Sequence, residues 1–384
     1  MRPTRAVIDL SAIKKNIERI KLRVENIDPV RKGRVNSIPN RVKILACVKA
    51  NAYGHGIVEV AEAIQDKIDY FGVASVEEGR VLRSRGIRNP ILILGSILPQ
   101  EAKELIEYNL SQSLCSMEVA DALNRYALKK DRKVKVHIKV DTGMGRIGIK
   151  PDGVVDFIGK VRGLKNLDIE GIFTHFPTSD EADKSFTYEQ IKIFKRVIQD
   201  VEKIGTYIPL RHTANSAAIL DIPESFFNMV RAGLAIYGYY PSPHVRRTVE
   251  LEPALSLLTK IVFLKELAPG ASVSYGRTYI TDTVCKIATL PIGYGDGYSR
   301  SFSNKGEVLV RGKRVPVVGR VCMDQTIVDV SRVEGVEVGD EVALIGRQKD
   351  EQITVEEVAQ KIGTIPHEVV SMIGKRVPRI YTET

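Results

Sequence analysis

A repeated alternation of short apolar runs and helix-like stretches between residues 42 and 240 most constrains the fold of this chain. Each run is rich in β-branched residues and is followed by a polar break and helical spacing, a pattern typical of parallel βα units. The runs predicted as strands are 43–48, 70–74, 91–95, 110–115, 134–140, 168–175, 210–214 and 228–231. Eight such units favour a closed (β/α)8 TIM barrel over residues 11–248, with its chemistry at the C-terminal ends of the strands. Periodicity alone also allows a doubly wound open sheet, although no Gly-x-Gly-x-x-Gly motif follows the first run.

From residue 249 onward the sequence changes to short alternating segments separated by turn signals. The segments predicted as strands are 259–264, 284–290, 307–310, 315–318, 326–330 and 341–345, and a helix is predicted at 354–361. This pattern predicts a mostly antiparallel β domain over residues 249–384. We assign residues 1–10 to the same domain, because 5–9 resemble a strand, and we expect Ser11 to be the N-cap of a helix over 12–21.

Composition and charge exclude several classes of function. The net charge of +10 comes from basic residues in short groups interrupted by acids, so we expect no nucleic-acid partner. No apolar run is long enough to span a membrane, and the first residues lack the apolar core of a secretory signal, which predicts a cytoplasmic protein. The four cysteines are far apart without a Cys-x-x-Cys pair, so neither a metal site nor a disulfide framework is predicted.

Lys49 directly follows the first predicted barrel strand. Burial lowers the pKa of a lysine and yields a neutral amine that attacks carbonyl groups. Spacing alone equally allows a lysine that leaves the strand into solvent.

The string from Val48 to Gly56, VKANAYGHG, resembles the pyridoxal-phosphate lysine motif of alanine racemases. Further strings that resemble this family follow in the family's order, at 137–148, 174–176, 213–218, 230–233, 273–276, 319–325 and 376–379. The resemblance therefore extends over essentially the whole chain. It implies a barrel followed by a β domain, working as a homodimer whose active sites use residues from both subunits.

The resemblance also implies the reaction, which is interconversion of L- and D-alanine on pyridoxal 5'-phosphate to supply D-alanine for peptidoglycan. Lys49 would hold the cofactor as a Schiff base and act as one acid/base group, and Tyr275 of the partner subunit would be the other. Racemisation needs two such groups, because the α-proton leaves one face and returns to the opposite face. A phenol has a reference pKa of about 10, so Tyr275 needs a neighbouring network, which the family supplies as His175 and Arg231.

Further site residues follow from the resemblance alone. Arg231 would face the pyridine nitrogen and leave it unprotonated, because guanidinium keeps its proton, and this would limit transamination. Arg146 would contact the cofactor ring oxygen and the substrate carboxylate. The implied phosphate ligands are Tyr53, Ser216 and the backbone N–H groups of Gly233 and Leu234.

The remaining implied positions concern the substrate and its entry. Met323 would offer its backbone N–H to the substrate carboxylate, Tyr294 would line the entry channel, and Lys139 corresponds to a lysine that is carbamylated in many relatives. Lys375 departs from the family, since many relatives carry a tyrosine immediately before Arg-Val-Pro-Arg. This departure leaves the entry gate and the substrate scope open between alanine and a broader range that includes serine.

Two other functions are compatible with a pyridoxal-phosphate site on such a barrel, a decarboxylase and a non-enzymatic cofactor carrier. A decarboxylase of similar architecture would be expected to place an acidic residue at the ring nitrogen, which the arginine at position 231 argues against. A non-enzymatic cofactor carrier resembles the barrel alone, and the region after residue 250 argues against it.

Overall fold

The computed structural model describes residues 2–26 and 41–383. The chain divides into two compact units, which we name the barrel unit (Ile13–Ala52 and Ile57–Glu252) and the β unit (Met1–Ala12, Tyr53–Gly56 and Pro253–Thr384). The short segment after the first barrel strand thus belongs to the β unit, which the sequence pattern did not indicate. Within the described ranges no helix combines the length and apolar character needed to cross a membrane.

The strands, in chain order, are β1 (Arg5–Asp9), β2 (Lys43–Cys47), β3 (Tyr70–Val73), β4 (Ile91–Ile93), β5 (Ser111–Leu114), β6 (Val134–Lys139), β7 (Leu167–Phe173), β8 (Leu210–His212), β9 (Met229–Ala232), β10 (Leu255–Lys260), β11 (Phe263–Leu267), β12 (Ser272–Val273), β13 (Tyr279–Ile280), β14 (Cys285–Leu290), β15 (Glu307–Val310), β16 (Lys313–Pro316), β17 (Thr326–Asp329), β18 (Glu341–Gln348), β19 (Glu351–Ile353) and β20 (Arg379–Thr382). The helices are α1 (Leu10–Asn26), α2 (Lys49–Tyr53), α3 (Ile57–Ile64), α4 (Val76–Ser84), α5 (Ala102–Glu107), α6 (Met117–Lys129), α7 (Val154–Arg162), α8 (Ser185–Lys203), α9 (Ser216–Asp221), α10 (Val355–Ile362) and α11 (Pro366–Ser371).

In the barrel unit, β2 to β9 form a closed barrel in chain order, with every neighbouring pair parallel and β9 pairing with β2. The prediction of a (β/α)8 barrel is confirmed, and the open-sheet alternative is wrong. The strands are almost wholly buried because helices cover them from outside, as the continuous apolar run of β4 illustrates. Strand β7 ends at Phe173 rather than at 175, so His175 lies in the loop beyond the strand.

The β unit is mostly antiparallel, as predicted. Its largest sheet has the order β16-β15-β18-β10-β1-β20, with β19 paired to β18, and the β1–β20 pair is parallel. A three-stranded sheet contains β11, β14 and β17, and β12 pairs with β13. Strand β1 is thus an interior strand of the main sheet.

Two local predictions are wrong. The run 259–264 is not one strand, because the chain passes from one sheet to another there. The N–H of Ile261 donates to the backbone carbonyl of Asp340, and the N–H of Val262 donates to that of Thr289. Strands β10 and β11 therefore lie in different sheets. Ser11 is not the N-cap of the first helix, which begins at Leu10. The Asp9 carboxylate accepts the N–H groups of Ser11 and Ala12 instead, the capping bond that an aspartate makes as readily as a serine.

Candidate active site

The structure places most predicted site residues at one mouth of the barrel. Parallel strands bring their C-terminal ends to the same face, which is where barrel enzymes carry their chemistry. The residues at these strand ends are Lys49 after β2, Lys139 at the end of β6, Arg146 in the following loop, His175 after β7, Ser216 after β8, Arg231 within β9, and Gly233 and Leu234 after it.

Lys49 opens a turn of left-handed backbone. Residues 50–53 have φ between 51° and 55°, although none is glycine, and each such L-residue costs roughly 1–2 kcal/mol. The Glu78 carboxylate accepts the N–H of Ala50 at 2.6 Å, and the Asn51 side chain accepts the N–H of Ile57 at 3.0 Å. Consecutive strain of this kind persists only where the surroundings hold it, and it concentrates at functional sites.

Arg231 is buried, with 3% of its surface exposed, and the described chain gives it no carboxylate partner. Nη1 donates to Nδ1 and to the carbonyl of His212, both at 3.0 Å, while Nη2 donates to His175 Nδ1 at 3.1 Å and to the carbonyls of Thr174 and Thr213. Burial lowers the pKa of Arg231 to about 10, so the side chain is still a cation at neutral pH. Nε–H is the one N–H for which residues 2–26 and 41–383 supply no acceptor.

His175 is neutral in this environment. Burial lowers its pKa well below the usual value, and the positive charges of Arg231, Lys139, Arg146 and Lys49 lower it further. Arginine only donates hydrogen bonds, so His175 Nδ1 accepts from Arg231 and the ring proton lies on Nε2. His175 is therefore poised as a hydrogen-bond donor through Nε2.

Lys139 is buried with 2% exposure. Burial, and next the charge of Arg231, lowers its pKa to about 7. Its Nζ donates to the carbonyl of Val140 at 3.3 Å and lies 5.0 Å from the centre of the Phe173 ring. At neutral pH a large fraction of the molecules therefore carry Lys139 as an uncharged amine.

Ser216 joins two loops after β8 and β9. Its buried Oγ accepts the N–H groups of Gly233 and Ala235 at 3.0 and 3.2 Å. The N–H of Leu234 lies between them in the chain, and no group in the described ranges accepts it. A hydroxyl and an unpaired backbone N–H so placed suit an anionic group such as a phosphate.

In the β unit, a tight turn presents Tyr275. Ser274 and Gly276 on either side have φ of 64° and 71°, and Ser274 Oγ donates to the carbonyl of Arg320 at 2.6 Å. The left-handed φ of Gly276 favours glycine, and a Cβ there would also lie 3.0 Å from the guanidinium of Arg320, which would have to shift. The Tyr275 side chain is 69% exposed.

The β unit also brings Tyr294 and Met323 together. The N–H of Tyr294 donates to the carbonyl of Cys322 at 3.0 Å, and the N–H of Gly295 donates to that of Met323 at 2.9 Å. The N–H of Met323 itself has no acceptor in the part of the chain that the structure describes, and its side chain is 53% exposed.

Lys375 and Tyr53 complete the predicted positions in the β unit. Lys375 is exposed and precedes Arg376, which donates to the Asp324 carboxylate at 2.7 Å. Tyr53 is buried, with its ring centre 5.9 Å from that of His367.

The sequence analysis did not single out three buried side chains behind Arg231, namely His137, Glu170 and His212. The available signal was an ionisable residue within a barrel strand, and each of these strands also carries another charged residue. That signal marks each residue separately and gives no indication that they contact one another.

Known proteins resemble the chain over its full length. Family models for the N-terminal and C-terminal domains of alanine racemase match residues 8–241 and 254–381. Alanine racemase 2 of Caldanaerobacter subterraneus subsp. tengcongensis is 47% identical over 99% of this chain and 95% of the relative. The alanine racemase of Halothermothrix orenii is 46% identical over 99% of this chain and 97% of the relative.

Solved structures agree with these relatives. Alanine racemase of Clostridium difficile 630 superposes with a TM-score of 0.91 at 39% identity, covering 100% of this chain and 97% of that one. The alanine racemase of Bacillus anthracis with bound L-Ala-P has the same TM-score and identity, covering 100% and 96%.

Proposed function

The chain belongs to the alanine racemase family and is a racemase that interconverts L- and D-alanine, and we propose that its barrel mouth holds the family's cofactor, pyridoxal 5'-phosphate. The observation that carries this proposal is the buried Arg231 guanidinium, which has no carboxylate partner among the described residues and an unused Nε–H. Burying a cation without a counter-ion costs free energy, so we expect this side chain to interact with a bound ligand. The decarboxylase and carrier alternatives are left without support.

The residues present fit such a cofactor. Its phosphate would take the Ser216 hydroxyl, Tyr53 and the backbone N–H groups of Gly233 and Leu234. The unpaired N–H of Leu234 supports this assignment, whereas the N–H of Gly233 would have to turn from Ser216 Oγ to the phosphate. Arg231 Nε–H would face the ring nitrogen, and Arg146 would reach the ring oxygen and the substrate carboxylate. When bound, the cofactor supplies an aldehyde for the Lys49 amine and a conjugated ring that delocalises charge from the α-carbon.

We infer that two groups transfer the α-proton, one on each face of the α-carbon. Lys49 moves the α-proton on one face, and Tyr275 of a second copy of the chain moves it on the other. The left-handed turn after Lys49 supports a constrained amine, and the exposure of Tyr275 supports a side chain that another subunit covers. His175, with its proton on Nε2, would donate a hydrogen bond to the Tyr275 oxygen and stabilise it when deprotonated.

We propose that entry and substrate recognition lie on the β unit. The unpaired N–H of Met323 would hold the substrate carboxylate, and Tyr294 beside it would line the approach. Lys375 would replace the family's tyrosine with an ammonium, which binds phosphate but gives no aromatic wall, so alanine and serine are both candidate substrates. We propose that the enzyme makes D-alanine in the cytoplasm and that this product is used for cell-wall precursors.

Isotope exchange tests the proposal. In D₂O, the loaded enzyme should incorporate deuterium at the α-position of both alanine enantiomers without releasing carbon dioxide, and borohydride should attach the cofactor covalently to Lys49. Lys49→Ala should lose exchange in both directions and lose the label. Carbon dioxide release, or a label on another amine, would refute the assignment.

We also propose that Lys139 is carbamylated. Its neutral amine would attack the carbon of CO₂ and lose a proton to solvent, and the resulting anion would orient the nearby Arg146. The pKa of about 7 supports this reaction. Enzyme equilibrated with ¹³C-bicarbonate should give a carbamate carbon signal that Lys139→Ala lacks. A wild-type spectrum without that signal would contradict the proposal.

A further inference from the structure

A continuous chain of buried hydrogen bonds runs from Arg231 through the barrel core, away from the mouth. Arg231 Nη1 lies 3.0 Å from His212 Nδ1, and His212 Nε2 lies 2.9 Å from His137 Nδ1. His137 Nε2 lies 3.2 Å from Glu170 Oε2, and Glu170 Oε1 lies 2.5 Å from Lys135 Nζ. Both histidines are fully buried, whereas the Lys135 side chain is half exposed. The chain therefore links the site to the opposite part of the barrel.

The chemistry of the two ends sets one direction for every hydrogen bond. Arginine has no acceptor, so His212 Nδ1 accepts and the His212 proton is on Nε2. That proton is donated to His137 Nδ1, which places the His137 proton on Nε2. At the other end, an ionised carboxylate can only accept, so Glu170 receives the proton of His137 Nε2. Both ends thus require the same Nε2–H tautomer in both rings.

The protonation states agree with this order. Burial alone would raise the pKa of Glu170, but hydrogen bonds from His137 and Lys135 lower it to about 2, so it is ionised. Burial lowers the pKa of both histidines, and the charge of Arg231 lowers that of His212 further. Each ring therefore has one proton near neutral pH.

The barrel also makes room for these rings. A Cβ at Gly171 would lie 2.2 Å from His137 Nδ1, so a side chain at that position would displace the imidazole. The pairing of β6 with β7 shifts register between Val136 and His137. Phe173 stacks on the His212 ring with a centroid distance of 4.7 Å and an interplanar angle of 4°. Packing thus fixes the planes of the rings, and the hydrogen bonds determine which nitrogen of each ring carries the proton.

We propose that Glu170 and His137 are positioning residues for the racemase reaction: they hold His212 as an acceptor and so orient the Arg231 guanidinium with Nε–H toward the mouth. The inference rests on the proposed role of Arg231 at the cofactor ring. If His212 adopted the other tautomer, its Nδ1–H would face the Nη1–H of Arg231, which would lose one of its acceptors. If His137 alone did so, its Nδ1–H would face the Nε2–H of His212 in the core. Neither residue touches substrate or cofactor in this proposal.

Nitrogen NMR of ¹⁵N-histidine-labelled holoenzyme tests the order directly, with His137→Gln and His212→Gln assigning the signals. In the wild type both rings should show Nε2–H. Glu170→Leu removes the acceptor, so signals of a second histidine tautomer should appear. In this variant kcat should fall on the order of tenfold with little change in KM. The number of transamination events per turnover should rise. Glu170→Gln combined with Lys135→Met keeps a carbonyl acceptor for His137 and removes the ammonium that would compete for it. Both rings should stay in the Nε2–H form, and kcat should stay within about threefold.

The matched control is Glu202→Ala, which removes a carboxylate that pairs with Arg211 on β8 at 2.6 Å but lies outside the chain of hydrogen bonds. It should leave the nitrogen shifts and kcat unchanged. Nδ1–H at either ring in active wild-type enzyme would overturn the inference even if Glu170→Leu fails to fold, as would wild-type tautomers and kcat in a folded Glu170→Leu. Wild-type enzyme with both Nε2–H signals but no α-deuterium exchange would instead overturn the proposed function.

Discussion

At the scale of single residues, Arg231 combines burial, positive charge and neutral neighbours. The family resemblance predicted Arg231 together with His175 but not the chain of hydrogen bonds behind them, because His212 and His137 are 75 positions apart and His137 and Glu170 are 33 apart. Periodicity reports local conformation and carries no information on such distant pairs. Chemistry at the strand ends was predictable, whereas the hydrogen bonds behind it required the closed barrel.

Replacing Arg231 by an acid should change the outcome of the reaction as well as its rate. In Arg231→Glu the ring nitrogen would gain a partner that favours its protonation, so we expect racemisation to fall on the order of 10²-fold to 10³-fold and transamination per turnover to increase. Counting cofactor converted to its amine form per racemisation event measures this. Arg231→Lys keeps the charge and should slow the reaction without raising that ratio. An unchanged ratio in Arg231→Glu would contradict the role at the ring nitrogen.

Lys139 should make stability depend on pH in a defined direction. Its pKa is about 7 in the folded state, against an ordinary lysine pKa of 10.5, so between these values the unfolded chain binds more protons. The free energy of unfolding of the wild type, relative to Lys139→Met, should therefore rise with pH from about 7 to about 10 and be flat below 7. Urea titrations in CO₂-free buffer measure this difference. A difference that falls as pH rises across that window would refute the lowered pKa.

At the scale of elements, the barrel strands were predictable because each is short, apolar and followed by a helical pattern. The left-handed turn after β2 was not, since Ala-Asn-Ala-Tyr has no glycine and its composition is compatible with an ordinary helix. The same limit explains the strand 259–264, where a continuous apolar run conceals a change of sheets between β10 and β11. Tertiary hydrogen bonds decided both outcomes.

The left-handed turn should depend on Glu78, whose carboxylate accepts the N–H of Ala50 at 2.6 Å and that of Ala74 at 2.8 Å. Glu78→Ala should lower the free energy of unfolding by about 1–3 kcal/mol and reduce kcat by releasing the backbone next to Lys49. Glu77→Ala, in the same first turn of α4, removes an equal charge and should change neither quantity substantially. Thermal unfolding and alanine racemisation measure both. Equal losses in the two variants would show that charge, rather than these two hydrogen bonds, matters.

At the scale of the whole molecule, the two units carry complementary parts of the proposed chemistry. The barrel unit holds Lys49, His175 and Arg231, and the β unit holds Tyr275 and Met323 on exposed positions. The division into a barrel and a β domain followed from the change of pattern near residue 249. The assignment of Tyr53–Gly56 to the β unit did not, because a four-residue segment is too short to show a pattern of its own.

Mixing two inactive variants tests whether one active site uses two copies of the chain. Lys49→Ala and Tyr275→Ala should each be inactive alone. After subunit exchange at equal concentration, half of the dimers are mixed and each contains one intact site, so activity should recover to about one quarter of the wild type. Lys49→Ala mixed with Arg231→Glu is the control, because both defects lie in the barrel and every site keeps one of them. Activity should therefore be about half of that of Arg231→Glu alone at the same total concentration, with no recovery on exchange. If exchange is verified by mass spectrometry and the first mixture stays inactive, Tyr275 acts within its own chain and the shared site is wrong.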